Sequence, residues 1–183
     1  MNKINFKGAT RFAILLAGFA IGTAASAQTS SKDKKLVNDA AVAKTEFVHT
    51  DGPMKNLFSS SYGYVILPNV GKGGIGIGGA AGNGIVYQKG KVIGKTKMTQ
   101  VSIGFQFGGQ AYREVIFFDS KVALDKFIAN DFEFSAQASA VAATAGASAN
   151  VTYKDGVLIF TQQKGGLMYE ASIAGQKFSY NSF

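Results

Sequence analysis

The chain has 183 residues, 46% of them hydrophobic, with 23 glycines, two prolines and a formal net charge of +8. Such a composition suits one packed, glycine-rich β or α+β domain rather than a disordered chain. Cysteine is absent and His49 is the only histidine, which excludes disulfides, a thiol nucleophile, a lipoprotein's cysteine attachment and any thiolate or multi-histidine metal cluster.

Lys3, Lys7 and Arg11 precede the apolar run Phe12 to Ile21, and Ala25-Ser26-Ala27 follows with small residues. This order predicts a secretory signal over residues 1–27, cleaved after Ala27. The apolar run is too short for a comfortable membrane span, and no later stretch reaches the roughly 18 apolar residues of a transmembrane helix. The expected address is the periplasm, with peripheral attachment to the inner or outer membrane. In that compartment a basic protein favours anionic phospholipids or other envelope polyanions over nucleic acid.

Ser31 to Phe47 has Leu36, Ala40, Ala43 and Phe47 returning near one side, which predicts an amphipathic helix. Two readings follow: a basic helix resting on a membrane through Lys32, Lys34, Lys35 and Lys44, or a terminal helix covering the core. Asp51-Gly52-Pro53 is a break, Met54 to Phe58 suits a short helix, and Tyr62 to Leu67 suits a strand that Pro68 stops.

Gly71 to Gly84 contains eight glycines in fourteen residues. It fits G-x-G-x-x-G twice, but the dinucleotide motif must open a helix, and Ala80 to Gly90 is too glycine-rich to form one. Gly94-Lys95-Thr96 has the tail of a phosphate loop, yet Lys89 stands where its first glycine belongs. Tightly bent or closely packed strands explain the run better. Ile85 to Tyr87 reads as a short strand and Gln88 to Lys91 as a turn. Lys72, Lys89, Lys91 and Lys95 are the lysines near these turns that suit lipid head groups. Lys89, Lys91, Lys95 and Lys97, close to Tyr87, also suit a nucleic-acid surface, although no run of stacking residues alternates with them.

Val101, Ile103, Phe105 and Phe107 alternate with Ser102, Gly104, Gln106 and Gly108, predicting a strand with one apolar face. Gly108-Gly109 bends the chain, and Tyr112 to Phe118 reads as a buried strand. Asp119 and Ser120 are candidate caps for a helix carrying Val122, Leu124, Phe127 and Ile128 and ending near Asn130. Phe132 to Ala149 fits helix by its alanines and packed strands by its Ser/Ala alternation. Its surroundings favour β, since Ala147 to Tyr153 meets the turn Asp155-Gly156 and returns as Val157 to Thr161. Leu167 to Ile173 and Lys177 to Tyr180 read as further strands. The predicted fold is α+β: a curved, glycine-rich antiparallel sheet, or partly closed barrel-like sheet, with an N-terminal helix and a short internal helix.

Catalysis has little material. His49-Thr50-Asp51 resembles fragments of a hydrolase, and Asp131 with Glu133 forms a carboxylate pair, but neither spacing establishes a reacting constellation. No catalytic residue, cofactor or metal is expected. A transmembrane barrel requires regular terminal alternation, whereas Asn181 and Ser179 are polar at the parity of Phe183.

The stretches Tyr62 to Gly79, Gly82 to Val86, Ser102 to Gln110 and Gly165 to Phe178, taken together and in order, resemble the SYLF family of lipid-binding domains, related to a yeast actin-binding protein. The resemblance covers Leu36 to Tyr180 and identifies residues 28–183 as a single SYLF-like domain after the signal. It implies a compact, non-enzymatic domain that associates with phospholipid membranes, with Lys32 to Phe47 matching the basic N-terminal segment of its relatives. The functional expectation is a membrane-associated periplasmic domain recognising anionic phospholipids or other envelope lipids. The alternative is a structural or protein-interaction domain with envelope protein partners.

Overall fold

The computed structural model describes residues 20–75, 77–103, 110–129, 132–135, 140–164 and 173–183. Contacts divide the chain into two units after Lys35. In the first, residues 20–35 are the opening turns of helix α1 (Ala20–Thr50), with Lys32, Lys34 and Lys35 exposed.

In the second unit the rest of α1 buries Ala40, Ala43 and Phe47, the face expected from their spacing. The helix is longer than the predicted Ser31 to Phe47 at both ends. Alanine-rich sequence continues upstream, and downstream the burial of Phe47 outweighs the weak propensities of Thr45 and Val48. Helix α2 (Met54–Ser60) follows and buries Met54 and Phe58.

Strands β1 (Gly63–Ile75), β2 (Ile77–Gln88), β3 (Lys91–Ile103) and β4 (Gln110–Phe118) pair antiparallel in the order β3-β2-β1-β4. The described residues of the glycine run therefore lie in two long paired strands, in keeping with the closely packed strands expected there, and Ile85 to Tyr87 is part of β2 and not a separate short strand. Pro68 does not end β1. It sits where the register shifts between Leu67 and Val70, a bulge at which its missing N–H costs the ladder nothing.

Helix α3 (Lys121–Ile128) is capped by Ser120, whose side chain accepts from the Ala123 amide at 3.3 Å; Asp119 lies one residue outside. Among its described residues, the undecided stretch holds the short strands β5 (Phe132–Glu133) and β6 (Val141–Ala142) and a 3₁₀ turn over Ala147–Asn150. The expected strand over Ala147 to Tyr153 is absent, because Asp51 accepts the Ser148 amide at 2.7 Å and draws this segment against the end of α1. The Asp155-Gly156 turn forms with positive φ at both residues, but Lys154 supplies only a single bridge to Val157. Among the described residues, strands β7 (Val157–Gln163) and β8 (Gln176–Ser182) complete an eight-stranded sheet, β5-β8-β3-β2-β1-β4-β7-β6, in which only β6 runs parallel to its neighbour. The expected strand at Leu167 to Ile173, apart from Ile173, lies outside the described residues, as do Phe105 and Phe107.

The sheet is a curled half-barrel. In a flat sheet β8 and β4 would lie four strand spacings apart, about 19 Å. Here Gln176 of β8 reaches Glu114 of β4 at 3.0 Å, so the face carrying both is the inside of the curl. Val65, Leu67, Met98, Ile116 and Phe118 line that inner face beneath Leu124 and Phe127 of α3. Tyr64, Ile66, Val115, Phe117 and Phe160 form the outer face, under α1 and α2.

Glycines of β2 fit against the bulge. A Cβ at Gly84 would lie 2.8 Å from the Ile66 carbonyl oxygen and 3.0 Å from Leu67 Cγ, whereas one at Gly71 would meet nothing within 4 Å. Close approach thus explains the second half of the run and leaves Gly71 unconstrained.

Candidate functional site

The turn between β2 and β3 has φ of 49° at Lys89 and 77° at Gly90, the two-residue turn that suits strand twist. Lys89 Nζ lies 5.4 Å over the Tyr62 ring, and the Tyr62 hydroxyl accepts from Gln88 Nε2 at 2.8 Å. Lys91 is exposed beside them.

Beyond the turn, β3 alternates between the two faces. Met98 goes into the inner core, so Lys95, Lys97, Thr99 and Val101 share the outer face. Lys97, Thr99 and Val101 are exposed there, while Lys95 is half-buried with its Nζ 5.7 Å over the Phe183 ring. Val101, on the expected apolar face, is 77% exposed: it pairs with Gly79 of β2, and the outer core gathers elsewhere on that face. Thr99 pairs with Lys177 of β8, whose ammonium meets Glu133 at 3.3 Å. Lys91, Lys95, Lys97 and Lys177 therefore mark one basic stretch of strand and turn. Lys97 and Lys177 were not in the sequence-derived lipid set. Period-two parity with Lys95 could have found Lys97, but Lys177 required the cross-strand register.

The remaining predicted lysines are not gathered there. Lys44 donates to the Tyr64 hydroxyl at 3.2 Å, and its ammonium stands 4.8 Å from the Phe58 ring centre and 5.2 Å from that of Tyr64. This is a packing role over the outer core. Lys72 lies on the inner-face side of β1 beside Val70, opposite Ala80. It is largely covered, and burial lowers its ammonium pKa. Eight residues of β2 separate that position from Gln88, opposite Lys91, or roughly 26 Å. Lys32, Lys34 and Lys35 belong to the first unit.

The inner face carries a polar cluster that the sequence did not suggest. Gln176 Nε2 donates to Glu114 Oε2 at 3.0 Å and to the Tyr112 hydroxyl at 3.3 Å. Glu114 is fully buried opposite Thr161 and Leu67. Burial pushes its carboxyl up to about 7, with the Gln176 hydrogen bond opposing the rise. The Tyr112 phenol is also raised, first by burial and then by the Glu114 charge. A carboxyl, an amide and a phenol tie β8 to β4 here.

The hydrolase-like fragment does not assemble. His49 is exposed in the last turn of α1, whereas the Asp51 carboxylate is buried against the Ser148 amide. Glu133 pairs with Lys177, and Asp131 lies outside the described residues. Among the described residues no group of three or more acidic or histidine side chains could hold a metal, and no helix is long and apolar enough to cross a membrane.

A curled sheet with a basic outer strand and a packed inner face defines a β-rich domain with a charged outer surface. Residues 99–182 match the Ysc84 family, described as a Las17-binding protein actin regulator. Beta cell expansion factor A of Aeromonas veronii is 28% identical over 127 residues, which cover 68% of this chain and 48% of that relative. The chain thus spans about half the length of the curated relative it matches. The similarity of residues 99–182 is to the Ysc84 (SYLF) domain, a family known for lipid binding and non-enzymatic as a family. The match takes in β4, α3, β7 and β8; the glycine run, residues 71–84, precedes it.

Proposed function

We propose that this protein is an exported, non-enzymatic domain that associates with anionic phospholipid surfaces in the periplasm. The observation that carries this reading is the run of Lys91, Lys95 and Lys97 along one turn and one outer strand face. Each lysine near an anionic surface contributes about 1 kcal/mol, so three acting together give roughly hundredfold enrichment over a neutral membrane. Phosphatidylglycerol and cardiolipin supply the required charge, and the signal-like segment over residues 1–27 supplies the address. Lys89 adjoins this surface at its turn.

Vesicle flotation tests the reading. The protein, prepared without residues 1–27, is expected to float with phosphatidylglycerol vesicles at low salt. It should stay at the bottom with phosphatidylcholine vesicles, and the bound fraction should fall as salt screens the surface. Absence of flotation with anionic vesicles at low salt would overturn the lipid reading. Retention on lipid-free envelope protein would then favour an interaction domain.

A further inference from the structure

Ser59, Ser60, Ser61, Tyr62, Lys89 and Asp119 line a pocket of about 410 Å³ at the junction of α2, the β2–β3 turn and the end of β4. Lys89 and Asp119 are both exposed, carry opposite charges and open onto the same space, yet among the described residues neither takes part in an ion pair. The nearby Lys121 is already tied to Asp125 at 2.5 Å. The serines are oriented by the helix end. Ser59 and Ser60 donate to the Asn56 carbonyl at 2.9 and 2.8 Å, which leaves the lone pairs of both hydroxyls available. Ser61 bonds the Leu57 carbonyl at 2.6 Å and the Tyr153 hydroxyl at 2.7 Å, which holds its side chain in place.

The turn itself does not call for lysine. Its first position has positive φ, where asparagine, aspartate or glycine is at ease, and another such turn in the chain uses Asp155-Gly156. At Lys89 the backbone N–H is bound to the Tyr62 carbonyl at 3.0 Å, and the ammonium is held over the Tyr62 ring.

We infer that this pocket binds a zwitterionic phosphoamine, with Lys89 receiving the phosphate and Asp119 together with the serine hydroxyls receiving a primary ammonium. A simple anion would meet the Asp119 charge and a simple cation that of Lys89; a molecule bearing both groups bridges the gap between them. The inference rests on the lipid-binding reading and names a second head-group chemistry for it. The soluble form of that chemistry is O-phosphoethanolamine, and the membrane form is phosphatidylethanolamine.

The test is an amide-shift titration of the protein without residues 1–27, using O-phosphoethanolamine, inorganic phosphate and phosphocholine in parallel. Saturable shifts at Ser59 to Tyr62, Lys89 and Asp119 are expected with phosphoethanolamine, in the millimolar range and about tenfold tighter than with phosphate. Phosphocholine, which has no ammonium N–H to donate, should bind more weakly than phosphoethanolamine. Asp119→Asn should erase the preference over phosphate. Lys89→Asn, which suits the turn and keeps the hairpin folded, should abolish binding. Equal affinity for phosphate and phosphoethanolamine, or shifts unchanged in Asp119→Asn, would overturn the inference. Adding phosphatidylethanolamine to neutral vesicles should raise flotation if the source is lipid. Shifts with the soluble compound but no such gain uphold the pocket and assign it to a free phosphoamine. Because Lys91, Lys95 and Lys97 do not line the pocket, its failure and that of the anionic surface are distinguishable.

Discussion

Gly84→Val is expected to destabilise the domain by about 3 kcal/mol, while Gly71→Ala changes it by less than about 0.5 kcal/mol. At Gly84 the first added carbon would lie 2.8 Å from a backbone oxygen of Ile66 and 3.0 Å from Leu67 Cγ. Both belong to the bulged stretch of β1, buried in the sheet, and a backbone carbonyl cannot swing aside as a side-chain end can. The two branches of valine add to the clash. At Gly71 the same carbon meets nothing within 4 Å, and alanine removes backbone freedom from the unfolded chain. Urea denaturation of both variants measures the contrast. Equal effects at the two positions would mean that the run is glycine-rich for flexibility and not for the passage of β2 over the bulge.

The second large effect concerns pH. Glu114 has a carboxyl raised to about 7 in the fold against an ordinary 4.5. The native state therefore holds its proton more tightly than the unfolded chain. Stability from this group is fully present below the unfolded value and is lost as pH rises through about 7. At about 1.4 kcal/mol for each tenfold difference in proton affinity, the loss between about pH 4 and pH 8 comes to roughly 3 kcal/mol. Glu114→Gln keeps the shape and removes the titration. Its stability relative to the parent protein is expected to climb across that interval, becoming more favourable by roughly 3 kcal/mol at about pH 8. Denaturation midpoints of the pair over pH 4 to 8 report the difference directly. A constant offset between them would show that Glu114 titrates normally.

These two sites also show what could be read before the fold was known. The Lys89-Gly90 turn, the buried strand at Tyr112 to Phe118, the Ser120 cap and the Asp155-Gly156 turn follow from local chemistry and stand where the sequence placed them. Pro68 misled because a bulge removes the need for its donor, which depends on the neighbouring strands. The alanine-rich stretch after Phe132 resisted reading because a distant group, the Asp51 carboxylate, captures the Ser148 amide. Glu114 is one polar residue within the strand expected at Tyr112 to Phe118, and the curl that brings Gln176 across the inner face gives it a partner. The candidate site divided in the same way. Lys89, Lys91 and Lys95 fall together at one turn and its following strand, because they are close in sequence. Lys44 is occupied by aromatic rings and Lys72 is covered on the other face, outcomes set by packing that residue type alone does not reveal.

The most direct test of the proposed membrane surface is flotation of a variant carrying Lys91→Glu, Lys95→Glu and Lys97→Glu, compared with the parent on phosphatidylglycerol vesicles at low salt. The proposed surface predicts loss of at least about hundredfold in vesicle affinity, with the circular-dichroism spectrum of the folded domain retained. Parent-like flotation of the folded variant would contradict it and place the membrane contact elsewhere on the chain.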